Sequence, residues 1–271
     1  MRAHRTLILS AVLALILAVP AVAGARKLLI GGSTSVQPLA EQLATLYHKQ
    51  FPKLPKPSVT GGQSDVGISG VAEGRFDIGD SSRDPLPKTD PHGLVFTKIA
   101  RDGVCIITND ANPLANLSEE SVIEIFTGAV RDWSQVPGAK ITGPIDLFDR
   151  DGASGTQDAF QHIFLGEEKA ISPSATAKTS NGLEQNAVSA DKQGIGFVSF
   201  RFTTGVHAVS YNGVACNLHN ARSGQYLGVR NFWMVTKKTG TSAAAIKFIK
   251  WVTGGSSKVD AIINSNWIAV H

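Results

Sequence analysis

The stretch KLLIGGSTSVQPLAEQLATLYHKQ, residues 27–50, contains the unit on which the predicted fold rests. Its first four residues are apolar enough for a short β-strand, and a loop of Gly, Ser and Thr follows at 31–35. Apolar residues then recur at helical spacing from Val36 to Gln50, and Pro38 is tolerated in the first turn of a helix. A Ser or Thr before this helix predicts a side-chain N-cap. A strand, a polar loop and a helix in this order direct free backbone N–H groups at whatever lies above the loop.

The same order of elements recurs along the chain. Alternation of short strands with helices predicts an α/β fold. The strand-like segments are residues 27–30, 57–60, 76–79, 104–108, 145–148 and 195–200. The helical segments are residues 36–50, 66–73, 118–126, 158–164, 242–252 and 257–264.

The first 23 residues have the features of a secretory signal peptide. Arg2 and Arg5 lie in a basic region, residues 7–19 form an apolar run, and Ala21-Val22-Ala23 is a small-x-small cleavage site. The apolar run is shorter than the roughly 18 residues that a membrane-spanning helix needs, which disfavours an anchor. We therefore expect cleavage after Ala23 and export of the mature chain, either to the periplasm or as a secreted protein.

Composition excludes several classes of function. The formal net charge of +4 is spread along 271 residues without a basic run, which disfavours a nucleic-acid partner. Two cysteines are too few for a disulfide-dense scaffold or a multi-cysteine zinc module. The sequence gives no distance between Cys105 and Cys216, so a disulfide and two separate buried thiols both remain open. The histidines are scattered without metal-ligand spacing, so no metal and no cofactor is expected.

Four loops are rich in Gly, Ser and Thr, namely residues 31–35, 61–65, 80–83 and 150–156. Such loops gather beyond the carboxyl ends of strands in open α/β sheets, where ligands bind. Hydroxyl groups, backbone N–H groups and the guanidinium of Arg150 together suit a tetrahedral oxyanion. A single loop of this composition is more often only a turn or a cap. Four of them in one exported α/β chain favour an anion site.

The motifs in these loops resemble a known family. The chain reads GSTSVxP at 32–38, GGxS at 61–64, DIGxSSR at 77–83 and RDxxSGTxDxF at 150–160. In this order they are similar to the periplasmic phosphate-binding protein of the high-affinity phosphate ABC importer, a type II periplasmic solute-binding protein. Further matches are NPLxNLS at 112–118, IFTG at 125–128, Trp133, IGFVS at 195–199 and Trp251-Val252. The resemblance covers nearly the whole mature chain.

The resemblance implies two α/β lobes, each a mixed sheet flanked by helices, that are joined by a two-strand hinge and close around one inorganic phosphate. Residues 24–103 and 223–271 would form one lobe and residues 104–222 the other, with Gly103 and Ser223-Gly224 as hinge material. It also implies a monomer that delivers phosphate to a membrane permease. The implied ligand-binding residues are Thr34, Ser35, Ser64, Ser82, Arg150, Ser154, Gly155 and Thr156.

One position departs from part of that family. Some relatives have an Asp where this chain has Ser82, and a carboxylate can accept the proton of phosphate while it repels sulfate. Other relatives carry Ser-Ser-Arg, as here. The resemblance then leaves Asp65 or Asp151 as the candidate acceptor, although Asp65 could equally face solvent at the start of a helix. A site that only donates would suit sulfate, molybdate or tungstate, which is the alternative ligand class.

The sequence does not favour an enzyme. Ser154 lies in GASG rather than in the GxSxG pattern of a hydrolase nucleophile. No glycine-rich loop continues as GK[ST], and no histidine pair has the spacing of a zinc site. A binding protein without catalytic residues is therefore the predicted class.

Overall fold

Parallel and antiparallel strands share one sheet in the computed structural model, which describes residues 26–270. The predicted signal peptide lies outside the described residues. The strands are β1 Leu29–Ser33, β2 Ser58–Gly62, β3 Ile78–Ser81, β4 Leu94–Thr108, β5 Asn116–Leu117, β6 Asp146–Arg150, β7 Thr176–Lys178, β8 Gly194–Ser199, β9 His207–Ala208, β10 Ser210–Tyr211 and β11 Val229–Lys237. The α-helices are α1 Gln37–Gln50, α2 Ser64–Ala72, α3 Glu119–Thr127, α4 Gly155–Phe160, α5 Asn181–Ala190, α6 Leu218–Arg222, α7 Ala243–Val252 and α8 Ser257–Asn266. The predicted α/β class is confirmed.

The order of strands in the large sheet is β2-β1-β3-β11-β4-β8-β6-β7, with β9 also paired to β4. Strands β5 and β10 form a separate two-stranded sheet. None of the helices over residues 26–270 is long and apolar enough to cross a membrane.

The first predicted unit is present, with one difference at the start of its helix. Strand β1 pairs in parallel with both β2 and β3, so the loops after all three strands meet at one edge of the sheet. The predicted N-cap is wrong, because Val36 occupies that position and no side chain caps α1. The Ser33 hydroxyl instead accepts a hydrogen bond from the Ser35 amide and donates one to Ser82. The side chain of Ser33 is therefore committed to the loop cluster rather than to the helix.

Strand β4 is longer than the sequence predicts and belongs to two parts of the sheet. Residues 94–103 pair with β11, whereas residues 104–108 pair with β8. The sequence predicts only residues 104–108 of this strand, because Lys98, Arg101 and Asp102 interrupt the apolar pattern before them. One strand therefore joins the two halves of the molecule.

Two hydrophobic cores flank this junction. One contains buried residues from 28–100 and 232–267, and the other is built mainly from residues 104–226 together with Ile268. The change from one core to the other falls between Ala100 and Val104 on β4, and between Val229 and Phe232 on β11. The fold is that of two α/β units joined by extended chain.

The two cysteines form a disulfide, which settles the question that the sequence left open. Cys105 and Cys216 have Cα atoms 5.6 Å apart and lie 111 residues apart in sequence. The bond ties the second half of β4 to the segment that returns toward β11. A cross-link over a loop of this length restricts the unfolded chain and stabilises the fold by about 4–5 kcal/mol in the chain-entropy description.

Asp80 is an unusual residue for the core that it occupies. It lies on β3 opposite Gly32 of β1 and Met234 of β11, and its side chain is 1% exposed. Neither carboxylate oxygen has a hydrogen-bond partner among the described residues. Burial raises the pKa of Asp80 from 3.8 to about 8. The ionised form is therefore disfavoured in the folded chain, and stability falls as the pH rises from the unfolded pKa to the folded one.

We expect Asp80→Asn to stabilise the protein above pH 4 by an amount that grows up to about pH 8. The expected gain is about 1.4 kcal/mol for each pH unit between the two pKa values, because the amide never ionises. Denaturant unfolding at pH 5 and pH 8 measures it, with Asp110→Asn at an exposed position as the control. Parallel stability curves for wild type and Asp80→Asn over this range would contradict the assignment.

Candidate functional site

Three serine hydroxyls meet where β1, β2 and β3 end. Ser33, Ser64 and Ser82 are all buried. The Ser33 hydroxyl donates to Ser82 Oγ at 2.8 Å, and the Ser82 amide donates to Ser64 Oγ at 3.0 Å. The hydroxyls of Ser64 and Ser82 are 3.4 Å apart. The parallel order of the strands thus places these hydroxyls in one buried cluster.

Gly155, the first residue of α4, lies directly against this cluster. A Cβ at this position would be 2.3 Å from Ser64 Oγ, and 2.8 Å from both Ser82 Oγ and the Arg83 backbone nitrogen. The Thr156 hydroxyl is 3.1 Å from Ser35 Oγ. The backbone of α4 at position 155 therefore lies so close to the serine cluster that only glycine fits there.

Helix α4 begins earlier than the sequence predicts. Ser154 Oγ accepts from the amides of Thr156 and Gln157, at 3.2 and 3.3 Å, and so caps the helix at Gly155. The sequence predicts the helix only from residue 158, because Ser154 was not assigned as an N-cap. Both amide bonds use Ser154 as an acceptor, which leaves its hydroxyl proton to donate.

Arg150 is buried at the end of β6 with one N–H group unpaired. Its Nε donates to Lys178 O at 2.9 Å, and its Nη2 donates to Thr179 O at 3.2 Å. Its Nη1 has no hydrogen-bond partner among the described residues. Burial lowers the pKa of Arg150, and the Glu184 carboxylate, 3.8 Å away, opposes that effect. A guanidinium stays charged at neutral pH, so this group brings positive charge into the interior.

Glu184 is the buried counterion of that arginine. Its Oε1 accepts from the Phe197 amide at 2.8 Å. Burial raises the pKa of Glu184 to about 8, although the nearby Arg150 lowers it. Burial therefore favours the protonated carboxyl group, which leaves the positive charge of the Arg150 guanidinium incompletely balanced.

A second buried arginine, Arg230 on β11, contacts Ser35 and Gly155. Its Nη2 donates to Ser35 Oγ at 2.8 Å, and its Nη1 donates to the Gly155 carbonyl at 3.3 Å. Its counterion is Asp102 on β4, at 2.9 Å. Burial lowers the pKa of Arg230 and raises that of Asp102, while their mutual attraction opposes both shifts. The strands that join the two cores thus carry a buried ion pair beside the site.

Asn181, the first residue of α5, bridges the two halves. Its Nδ2 donates to Ser35 Oγ at 2.8 Å and to Thr34 Oγ1 at 3.1 Å. Its Oδ1 accepts from the Ser199 amide at 3.0 Å. This residue and Arg230 were not among the sequence-predicted site residues. The signal that was available for Asn181 was Ser180, whose side chain caps α5.

The two candidate acceptors bind to protein groups instead. The Asp65 carboxylate pairs with Arg83 at 2.7 Å, and Arg83 also pairs with Asp90 at 2.5 Å. Asp151 accepts from the Ala153 amide at 3.2 Å and from the side chain of Gln63. Neither carboxylate is in contact with the serine cluster. The groups at the centre of the site are hydroxyl, amide and guanidinium groups.

Comparison with known proteins identifies the family. Residues 18–256 match the family model described as PBP superfamily domain. The chain belongs to the PBP superfamily. A PBP superfamily relative from Borreliella burgdorferi, named phosphate-binding protein PstS, is 25% identical over 84% of this chain and 85% of its own. The protein of the same name from Bacillus subtilis is 31% identical over 73% of this chain and 66% of its own.

Solved structures of the PBP superfamily agree in fold. A Clostridium perfringens protein, solved with bound phosphate and described as a phosphate ABC transporter substrate-binding protein, has a TM-score of 0.84 at 28% identity. The match covers 91% of this chain and all of that one. An ABC-type phosphate transport receptor from Vibrio cholerae has a TM-score of 0.70 at 27% identity, over 89% of this chain and 99% of that one. The two-lobed arrangement that the sequence predicts is confirmed.

The eight sequence-predicted residues differ in how directly the structure joins them. Ser35 and Thr156 are in direct contact, as are Ser64 and Ser82, and Gly155 lies against the second pair. Thr34 joins Ser35 through Asn181. Ser154 caps α4, and Arg150 is held by the carbonyls of residues 178 and 179, just before Asn181. Their role in ligand binding stays a prediction.

Proposed function

We propose that this protein captures inorganic phosphate between its two lobes and delivers it to the permease of an ABC transporter. The observation that carries the proposal is the set of buried serine and threonine hydroxyls at the ends of β1, β2 and β3 and at the start of α4, together with two buried arginines, Arg150 and Arg230. These groups donate hydrogen bonds and carry positive charge, as an oxyanion requires. Relatives of this family are named phosphate-binding proteins.

The proposed ligand set is the one that the resemblance implied. Thr34, Ser35, Ser64 and Ser82 would donate from one lobe, and the other lobe would contribute Arg150 with residues 154–156. The unpaired Nη1 of Arg150 supports its part, because a buried N–H without an acceptor is unfavourable and a phosphate oxygen satisfies it. Closure also excludes water, which strengthens each of these hydrogen bonds.

The proposed lobes are residues 24–103 with 223–271, and residues 104–222. The boundary after residue 103 is supported by the change of core near residue 102 on β4, whereas Tyr226, Val229 and Ile268 of the proposed first lobe pack in the second core. We further propose a mature monomer, exported to the periplasm after cleavage behind Ala23. It would act as a binding protein without catalysis, because its relatives are named for phosphate binding rather than for a reaction.

Titration calorimetry of the mature protein tests the ligand. We expect phosphate to bind tightly, because the hydroxyl, amide and guanidinium groups of the site donate hydrogen bonds to its oxygens. Competition with a large excess of sulfate then measures whether the site also accepts the proton that phosphate carries and sulfate lacks. Heat from sulfate, molybdate or tungstate without heat from phosphate would overturn the proposal in favour of another oxyanion. Ser174→Ala, an exposed position outside the four loops, is the control and should bind as wild type does.

A further inference from the structure

Asn181 has a defined orientation although it is an amide with two similar ends. The Ser199 amide can only donate, so the atom 3.0 Å from it must be the side-chain oxygen of Asn181. The nitrogen therefore faces the first lobe, where Thr34 Oγ1 and Ser35 Oγ lie at 3.1 and 2.8 Å. Asn181 is fully buried, so water does not compete for these contacts.

Ser35 receives two hydrogen bonds from groups that cannot accept. One comes from Asn181 Nδ2 and the other from Arg230 Nη2, both at 2.8 Å. A hydroxyl oxygen has two lone pairs and one proton, so both acceptor positions of Ser35 are occupied. The proton of Ser35 is left to donate, either to Thr156 Oγ1 or to a ligand oxygen.

Thr34 has the same arrangement. Its Oγ1 accepts from the side-chain nitrogen of Asn181 at 3.1 Å and from the Asn181 backbone amide at 3.4 Å. Arg230 is itself fixed, because its Nε and Nη2 both donate to Asp102. Donors from the second lobe and from β11 therefore determine where two hydroxyl protons in the first lobe point.

We propose that Asn181 and Arg230 are positioning residues that make Thr34 and Ser35 obligate hydrogen-bond donors to the ligand. The inference rests on the proposed function and deepens it, because it assigns these hydroxyls to unprotonated oxygens of a tetrahedral oxyanion. Neither residue needs to touch the ligand. They act by occupying every acceptor position on the hydroxyls that do.

The decisive variant is Asn181→Asp, which keeps the acceptor for Ser199 and replaces the donor by a second acceptor. The hydroxyls of Thr34 and Ser35 would then turn their protons toward the new carboxylate and away from the ligand. We expect phosphate affinity to fall by at least about 100-fold, since each lost hydrogen bond corresponds to about tenfold. Asn181→Leu, which removes the side-chain nitrogen and also the acceptor of the Ser199 amide, should weaken binding by about tenfold or more.

The Thr34→Val/Ser35→Ala background separates proton orientation from the repulsion of a new negative charge. Repulsion persists in that background, whereas the effect on the hydroxyls disappears. We expect the loss caused by Asn181→Asp to be about tenfold smaller there than in the chain with both hydroxyls. If Asn181 only held the lobes together, the new carboxylate would accept hydrogen bonds from these two hydroxyls and keep the lobes joined. The loss of phosphate affinity caused by Asn181→Asp would then be smaller in the chain with both hydroxyls than in the background without them. That result overturns the inference.

Control variants distinguish the positioning role from misfolding and from a wrong ligand. Asn186→Leu, exposed on the same helix, should bind as wild type does. If Asn181 variants fail to fold, Thr34→Val and Ser35→Ala decide, because unchanged affinity in both folded variants overturns the inference. If the wild type binds only sulfate or molybdate, the proposed phosphate function is overturned but the positioning role is not. The same variants are then measured with that anion. Wild type that binds no tetrahedral oxyanion overturns both.

Discussion

Gly155→Ala should weaken phosphate binding by about 100-fold while the chain stays folded. An added methyl group would lie 2.3 Å from Ser64 Oγ and 2.8 Å from the Arg83 backbone nitrogen. Overpacking of this kind disfavours the tight arrangement by about 1–3 kcal/mol and occasionally more. Because Gly155 belongs to one proposed lobe and its contacts to the other, an open form relieves the clash. The penalty therefore falls on closure rather than on folding.

Gly152→Ala is the matched control for this change. Gly152 lies three residues away in the same loop, and a Cβ there would meet no atom within 4 Å. Calorimetry with phosphate and denaturant unfolding of both variants measure affinity and stability separately. If folded Gly155→Ala bound phosphate with wild-type affinity, the ligand-bound site would have to be wider than the cluster described above. Phosphate would then not bind next to Gly155.

The polar loops could be predicted from the sequence because their information is local. The strand, loop and helix around GGSTS are each encoded by neighbouring residues, and the structure has β1 and α1 within two or three residues of the predicted bounds. The same holds for α3, which was predicted at residues 118–126 and which Ser118 caps and Gly128 ends in the left-handed conformation. Patterns of this kind depend on contacts a few residues apart, which one sequence contains.

The residues that hold the site together depend on pairing across the chain. Arg230 and Asp102 are 128 residues apart, and each interrupts an otherwise apolar strand, so β11 and half of β4 were not predicted. Asn181 begins a helix whose apolar residues are few, and its function follows only from Thr34 and Ser35, about 146 residues earlier. Burial of an ion pair and the direction of a hydroxyl proton are properties of the assembled fold.

Arg150→Ala should have an effect on phosphate binding as large as that of Gly155→Ala or larger. Truncation of one partner of a buried, hydrogen-bonded charge pair lowers affinity by about 2–5 kcal/mol, or roughly 30- to 5,000-fold. Arg150→Lys should recover only part of this, because an ammonium cannot replace the planar fork that reaches two carbonyls and leaves Nη1 for the ligand. Arg131→Ala, an exposed arginine in the same proposed lobe, controls for the loss of one positive charge.

The protonation of Glu184 complicates the interpretation of Arg150→Ala. Without Arg150, a buried carboxylate would lose the nearby positive charge that lowers its pKa, so it would become more fully protonated at neutral pH. Glu184→Gln removes this complication, and Arg150→Ala is therefore measured in that background as well as alone. A loss of affinity in both backgrounds assigns it to the guanidinium. Wild-type affinity in the folded double variant would leave Arg230 as the buried cation for the ligand, and would place phosphate closer to β11 than to β6.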